Sequence, residues 1–354
     1  MRIVASFTLL LGCTAFSIGC KTRKESQPEQ RPPAVSSAPK IYVTDEVSGD
    51  LTVIDSGNWN VIASVHLGKR PRGIHPSPDH KTLYVALSGT PIAGPDVDES
   101  TLPPADKSAD GIGVIDVATK KLVRIIPGGS DPENFEVSPD GKQLYISNED
   151  VSGVSIVDIT SGSIVKTLQI GAQPEGVKVM PDGKLVYVTS EETSEIAVLD
   201  PSAEKILGTF KVGHRPRSVA FTPDGKRAYI NAENDGTVAV VDTQKHKVIK
   251  TIQLGKPGLI KPMSVLLSPD ASRLYVSTGR GHQVFTIDTT NDTVLGSVEV
   301  GQRPWGIALS PDAKTLYSAN GPSNDVTAVD LATNSVIRKI KAGGGPWGVV
   351  VLEQ

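Results

Sequence analysis

The chain has 354 residues, a formal net charge of −3 and a hydrophobic content of 38%. That balance argues against nucleic acid as the main partner, because a phosphate backbone is met by a basic excess. The only cysteines are Cys13 and Cys20, so the rest of the chain can build no disulfide, thiolate metal site or cysteine nucleophile.

At the N-terminus, Arg2 precedes a mostly apolar stretch, Ile3 to Gly19, that ends in small residues. This reads as an export signal over residues 1–19, short for a membrane span and followed at once by polar residues. Ser17-Ile18-Gly19-Cys20 resembles the lipobox of bacterial lipoproteins, with Ser17 where Leu is usual. By that resemblance Cys20 becomes the lipidated first residue; Cys13, or a plain signal with an incidental Cys, is the alternative. Lys21 after the Cys resembles lipoproteins sent to the outer membrane. The expected location is therefore outside the cytoplasm, lipid-anchored to the bacterial outer membrane on its periplasmic side or at the cell surface. Residues 20–40 hold four prolines, many polar groups and no apolar run, which predicts a disordered tether.

From residue 41 onward the chain repeats itself. The unit is clearest at Pro216–Gly255: SVAF, RAYIN, TVAVVD and VIKTIQL, separated by TPDGK, ENDG and TQKHK. Short runs rich in Val, Ile and Tyr, bounded by Gly, Pro, Asn and Asp, predict a four-stranded antiparallel meander with strands a to d. Three markers each recur seven times: a Pro opening strand a (Pro71 to Pro346), a Tyr in strand b (Tyr42 to Tyr317) and an Asp closing strand c (Asp55 to Asp330). The spacing is 42 residues, except for one step of 61 and one of 46. A four-strand period of this length is the signature of a β-propeller, and stacked repeats need only a thin core each. The chain ends after a strand a and the repeats begin at a strand b, which predicts an all-β, seven-bladed propeller over 41–354, closed by the C-terminal strand a joining N-terminal strands b to d.

Tyr42-Val-Thr-Asp, Tyr145-Ile-Ser-Asn and Tyr187-Val-Thr-Ser, each followed by a Val-Ala-Val-Val-Asp-like strand, resemble the YVTN family of β-propeller repeats. The resemblance implies a seven-bladed envelope protein, similar in fold to lactonase-type propellers and to the haem d1 domain of a nitrite reductase. It implies no single activity, since these folds host unrelated ones.

The repeat also sorts residues. The seven Tyr are read as packing residues between blades and the seven Asp as caps of the c–d turns. Both irregular spacings, the insertion 88–110 and the longer loop 256–261, fall on the face shared by the d–a and b–c loops, so that is the working face. Around its centre, the residue after each strand-a Pro runs Arg72, Glu133, Glu175, Arg217, Met263, Trp305, Trp347, and the residue before it includes Arg70, Arg215 and Arg303. Fixed register with varied chemistry is the mark of a binding rim. Arg72 beside two exposed indoles, Trp305 and Trp347, suits an anionic or planar ligand or a protein partner; alternatively the Trp rings cover the closure seam and the Arg residues pair with Glu133 and Glu175. Glu46, Glu149, Glu191 and Glu233 share one b–c register and are expected to be solvated.

Two histidines, His214 and His282, reach this face, too few for a metal site, and no cofactor motif occurs. The acidic insertion is read as a lid or docking loop. The first functional expectation is a monomeric, lipid-anchored, non-enzymatic propeller with no metal or cofactor, binding a small anionic ligand or protein at its mouth. The second is a lactonase-like hydrolase with Glu133 or Glu175 as general base and Arg215 or Arg217 holding an acidic substrate. The third, from family likeness alone, is an accessory of a periplasmic redox system.

Overall fold

The computed structural model describes residues 37–92 and 101–353, with isolated positions among residues 6–12. Cys20, most of 1–36 and residues 93–100 of the insertion lie outside the described residues. The chain divides into two units, Met1–Val35 and Ser36–Gln354. The second is the propeller. Among the described residues, no helix is long and apolar enough to cross a membrane.

Seven four-stranded antiparallel sheets make up the propeller. Blade 1 runs, from axis to rim, through Pro346–Leu352, Lys40–Asp45, Asp50–Asp55 and Val61–His66, so the C-terminal strand closes the ring as expected. Blade 2 follows with a short inner strand, Ile74–Pro76, then Thr82–Leu87, Gly111–Asp116 and Lys121–Ile126. Blades 3 to 7 open with inner strands Pro132–Val137, Pro174–Val179, Pro216–Phe221, Pro262–Leu267 and Pro304–Leu309. Each inner strand touches those of both neighbouring blades, which completes a circle about the axis.

The core lies between blades. Seven apolar clusters each join two adjacent sheets, as where Tyr187 and Ile196 of blade 4 meet Val219 and Ile230 of blade 5. All seven strand-b Tyr are buried in these seams. Their hydroxyls find local partners: Tyr145 donates to Gln143 at 2.8 Å, and Tyr187 meets His246 at 2.6 Å. The Asp closing each strand c accepts a backbone N–H two or three residues on, in every blade. Both sequence readings therefore hold: these residues build the scaffold.

The inner strands carry one local distortion. In blade 1 and blades 3 to 7 the a–b pairing slips by one residue just after the Pro, a β-bulge that re-aims the next side chains toward the axis. The residue before the Pro is left-handed in most blades, with φ of 41° at Arg70, 51° at Gln173, 59° at Arg215 and 49° at Arg303. Pro disfavours the right-handed helical region for its predecessor, and a non-Gly residue held at positive φ marks a position fixed by its surroundings. The variable positions of the repeat are thus the ones its backbone presents to the mouth.

Candidate functional site

The d–a and b–c loops enclose a cavity of about 770 Å³ at one end of the axis. It is lined by nine of the ten rim residues marked in the sequence, all but Met263, and by described parts of the insertion, including Pro91, Ile92 and Leu102. The insertion is fastened to the rim. Arg70 donates to the carbonyls of Thr90 at 2.9 Å and Pro91 at 3.4 Å, and Lys107 pairs with Asp150 of blade 3.

Below the rim, the arginines are mostly spoken for. Arg72 is buried, bonded to Asp131 at 3.0 Å and to Glu133. Arg70 meets Glu46 at 3.0 Å. Arg217 is buried among three carboxylates, Glu175, Glu191 at 2.8 Å and Glu233. Arg215 reaches Glu191 at 2.7 Å and Glu233 at 3.0 Å, and Lys261 closes on Glu233 at 2.9 Å.

Two expectations need correction here. Arg72 does not stand beside two exposed indoles: it turns to blade 3, and Trp347 is buried. The indoles instead stack on each other, centroids 5.5 Å apart and planes at 21°, while Arg217 and Arg303 lie over Trp305 at 5.3 and 4.9 Å. Burying two large aromatic faces together outweighs leaving them as open platforms. Nor are the b–c glutamates uniformly solvated: Glu191 and Glu233 are buried against the inward-turned Arg215 and Arg217, with Glu233 as a counter-charge. The pairing of arginines with Glu133 and Glu175, raised as an alternative, is what the structure contains.

Burial and these neighbours spread the acidities. Burial, reinforced by the Glu175 carboxylate, pushes the Glu191 carboxyl up to about 10. Burial would raise Glu175 as well, but Arg217 outweighs it and holds Glu175 below the usual range. Glu233 is held down at about 2, with Arg217 and Lys261 overcoming burial. The cluster therefore pairs a charged Glu175 with a protonated Glu191.

Three charged or amide side chains of the lining have no ion-pair or hydrogen-bond partner among the described residues. Arg303, on blade 7, makes no ion pair; its guanidinium rests on Trp305, and its backbone N–H donates to His282 Nδ1 at 3.1 Å. Burial and the Arg217 charge lower its pKa. Glu149 of blade 3 faces the cavity without a cation, and burial lifts its carboxyl to about 7. Gln173 of blade 4 also lines the cavity with no hydrogen bond from its amide. The sequence placed Arg303 in the site; it did not separate Arg303 from the paired arginines, and it missed Glu149 and Gln173 as open groups. The signal was in the ring order, since blade 3 carries two further acids, Asp131 and Glu133, that consume Arg72. Among the described residues, no three His, Cys, Asp or Glu side chains group as metal ligands.

These features define a seven-bladed β-propeller with an open, charged mouth. Residues 181–343 match the family described as lactonase, 7-bladed beta-propeller, and residues 98–184 match the YNCE-like beta-propeller family. The chain is similar to Antigen Lp49 of Leptospira interrogans, 30% identical over 109 residues, which is 31% of this chain and 23% of that protein's length. Its fold resembles a hydrazine synthase chain of Kuenenia stuttgartiensis (TM-score 0.69, 21% identity, 83% of this chain and 92% of that one). It also resembles a putative 6-phosphogluconolactonase of Bacteroides fragilis (TM-score 0.72, 19% identity, 91% and 100%) and a periplasmic gluconolactonase of Pseudomonas aeruginosa (TM-score 0.71, 18% identity, 89% and 99%). At these identities the structures speak for the fold.

Proposed function

We propose that the protein is a ligand-binding propeller whose mouth captures a small molecule through a carboxylate group. The observation that carries this reading is Arg303: it is the one lining arginine without a carboxylate partner among the described residues, and an aromatic shelf holds its planar fork toward the cavity. A pre-organised guanidinium suits bidentate recognition of a carboxylate and loses little entropy on binding. A concave cavity of about 770 Å³ is of small-molecule size and favours a small ligand over a flat protein partner. The test is a tryptophan-fluorescence titration with gluconate against its uncharged amide. Gluconate should perturb the Trp305–Trp347 stack and the amide should not, and Arg303→Gln should abolish the response. An equal response to both probes, or one unchanged in the variant, overturns the reading.

A second reading, lactone hydrolysis, is favoured by the match of residues 181–343 to the lactonase family and by the Glu175–Glu191 pair, in which a charged carboxylate adjoins a protonated one. In this version Arg303, not the saturated Arg215 or Arg217, would hold the substrate. Hydrolysis of gluconolactone that is lost in Glu175→Gln but not in a surface control would favour it. We also propose export and anchoring through Cys20; palmitate labelling that survives Cys20→Ser would exclude the anchor.

A further inference from the structure

Among the described residues the mouth has a second open charge, and its placement bears on the ligand. Arg303 belongs to blade 7 and Glu149 to blade 3. Blades 1 and 2 separate them on one side and blades 4 to 6 on the other, so the two groups face each other across the cavity that both line. Gln173, the third open group, lines the same cavity from blade 4, the neighbour of blade 3. Every other arginine and carboxylate lining the mouth that has been described above is paired within the protein, and those pairs leave no net charge to offer a ligand.

From this we infer that the ligand is a zwitterion of short-peptide type, its carboxylate at Arg303 and a protonated amine at Glu149, with Gln173 free to bond an amide between them. The inference rests on the carboxylate-binding reading and extends it. Three features support it. Opposed unpaired charges are complementary to a molecule that carries both signs, and like-charged competitors are rejected by the same arrangement. With one open guanidinium set against one open carboxyl, a dianion such as a sugar phosphate acid finds a partner for only one of its charges, whereas a neutral zwitterion finds one for both. The wall formed by Pro91, Ile92 and Leu102 offers apolar contact between the charged ends, as a side chain would use and a polyol would not.

The experiment is isothermal titration calorimetry at pH 7.5 with the full propeller and a ladder from diglycine to pentaglycine. An extended peptide gains about 3.3–3.6 Å per residue, so one length should match the span between the two groups. At that length, N-acetylation and C-terminal amidation should each weaken binding by roughly 10-fold or more, the worth of a charge-assisted hydrogen bond. Glu149→Gln should reduce affinity for the free peptide to that of the acetylated one and leave the acetylated peptide's affinity unchanged. Arg303→Gln should weaken both. If Arg303→Gln weakens both but neither acetylation nor Glu149→Gln matters, the carboxylate reading stands and the zwitterion is wrong. If Arg303→Gln changes neither, the carboxylate reading itself falls. Absence of measurable binding along the ladder overturns the peptide assignment. Acetylation alters the ligand alone, so the test does not depend on how the variant folds.

Discussion

The Arg303 guanidinium sits 4.9 Å from the centre of the Trp305 ring, and Trp347 backs that ring from the next blade. Arg303 is held by an aromatic face where its neighbours are held by carboxylates, which leaves its charge available. Trp305→Leu keeps an apolar side chain and removes the shelf. It should weaken carboxylate binding by about 2- to 30-fold, the range of a cation–π contact of ~0.5–2 kcal/mol, with the loss seen mainly as faster dissociation. Stopped-flow or calorimetric titration measures this directly.

The glycine after Glu175 is fixed by the packing of inner strands. A Cβ on Gly176 would stand 2.0 Å from the carbonyl oxygen of Arg217, too close for any side chain. Gly176→Ala should therefore push the inner strand of blade 5 outward, break the Glu175–Arg217 contact and destabilise the protein by about 1–3 kcal/mol. Thermal melts give the stability change. Weaker ligand binding than in an equally destabilised rim variant would show that the mouth moved with it.

The scaffold was legible in the sequence because it repeats. Tyr229 and Asp242 have copies in every blade, so comparing blades identified their roles without any structure. The site was half legible. Varied chemistry at a fixed register located the ring from Arg72 to Trp347, but ion pairing is decided by which way a side chain turns between neighbouring blades. One-dimensional order cannot say that Arg72 turns to blade 3 and Arg217 to Glu191 and Glu233. The β-bulge that aims these residues inward likewise has no sequence marker beyond the Pro itself.

Asp45 in blade 1 occupies the strand position held by Asn148 in blade 3 and Asn320 in blade 7. At those sites the amide both accepts and donates: Ser155 donates to Asn148 at 2.5 Å, and Asn148 donates to the Gly128 carbonyl at 2.7 Å. Asp45 accepts from Thr52 at 2.6 Å, and its other oxygen is buried without a hydrogen bond. Burial lifts its carboxyl to about 7, with Asp50 adding to the rise. Because the folded-state value lies above the unfolded one, this group's stabilising contribution is complete below the ordinary carboxylate range and is lost as pH rises through about 7. Asp45→Asn should raise the melting temperature by several degrees at pH 8 and leave it unchanged near pH 4. A variant less stable than the parent at pH 8 would refute the assignment.

Glu149 makes the proposed binding pH-dependent in a calculable direction. Its carboxyl stands near 7 in the empty mouth, chiefly through burial; Arg72 and Arg70 pull it down, and Asp131 and Glu175 push it up. An ammonium group placed against it favours the charged form, so binding lowers its pKa and releases a proton wherever the empty site still holds one. Affinity for a free-amine peptide should therefore climb from pH 5 to about 7 and then level off. The N-acetylated peptide, which meets the protonated acid as readily, should show no such climb. Calorimetry in buffers of different ionisation enthalpy should register net proton release at pH 6, with none in Glu149→Gln. Proton uptake at pH 6, or release that persists in the variant, would place the titrating group elsewhere, most directly in the Glu175–Glu191 pair beneath it.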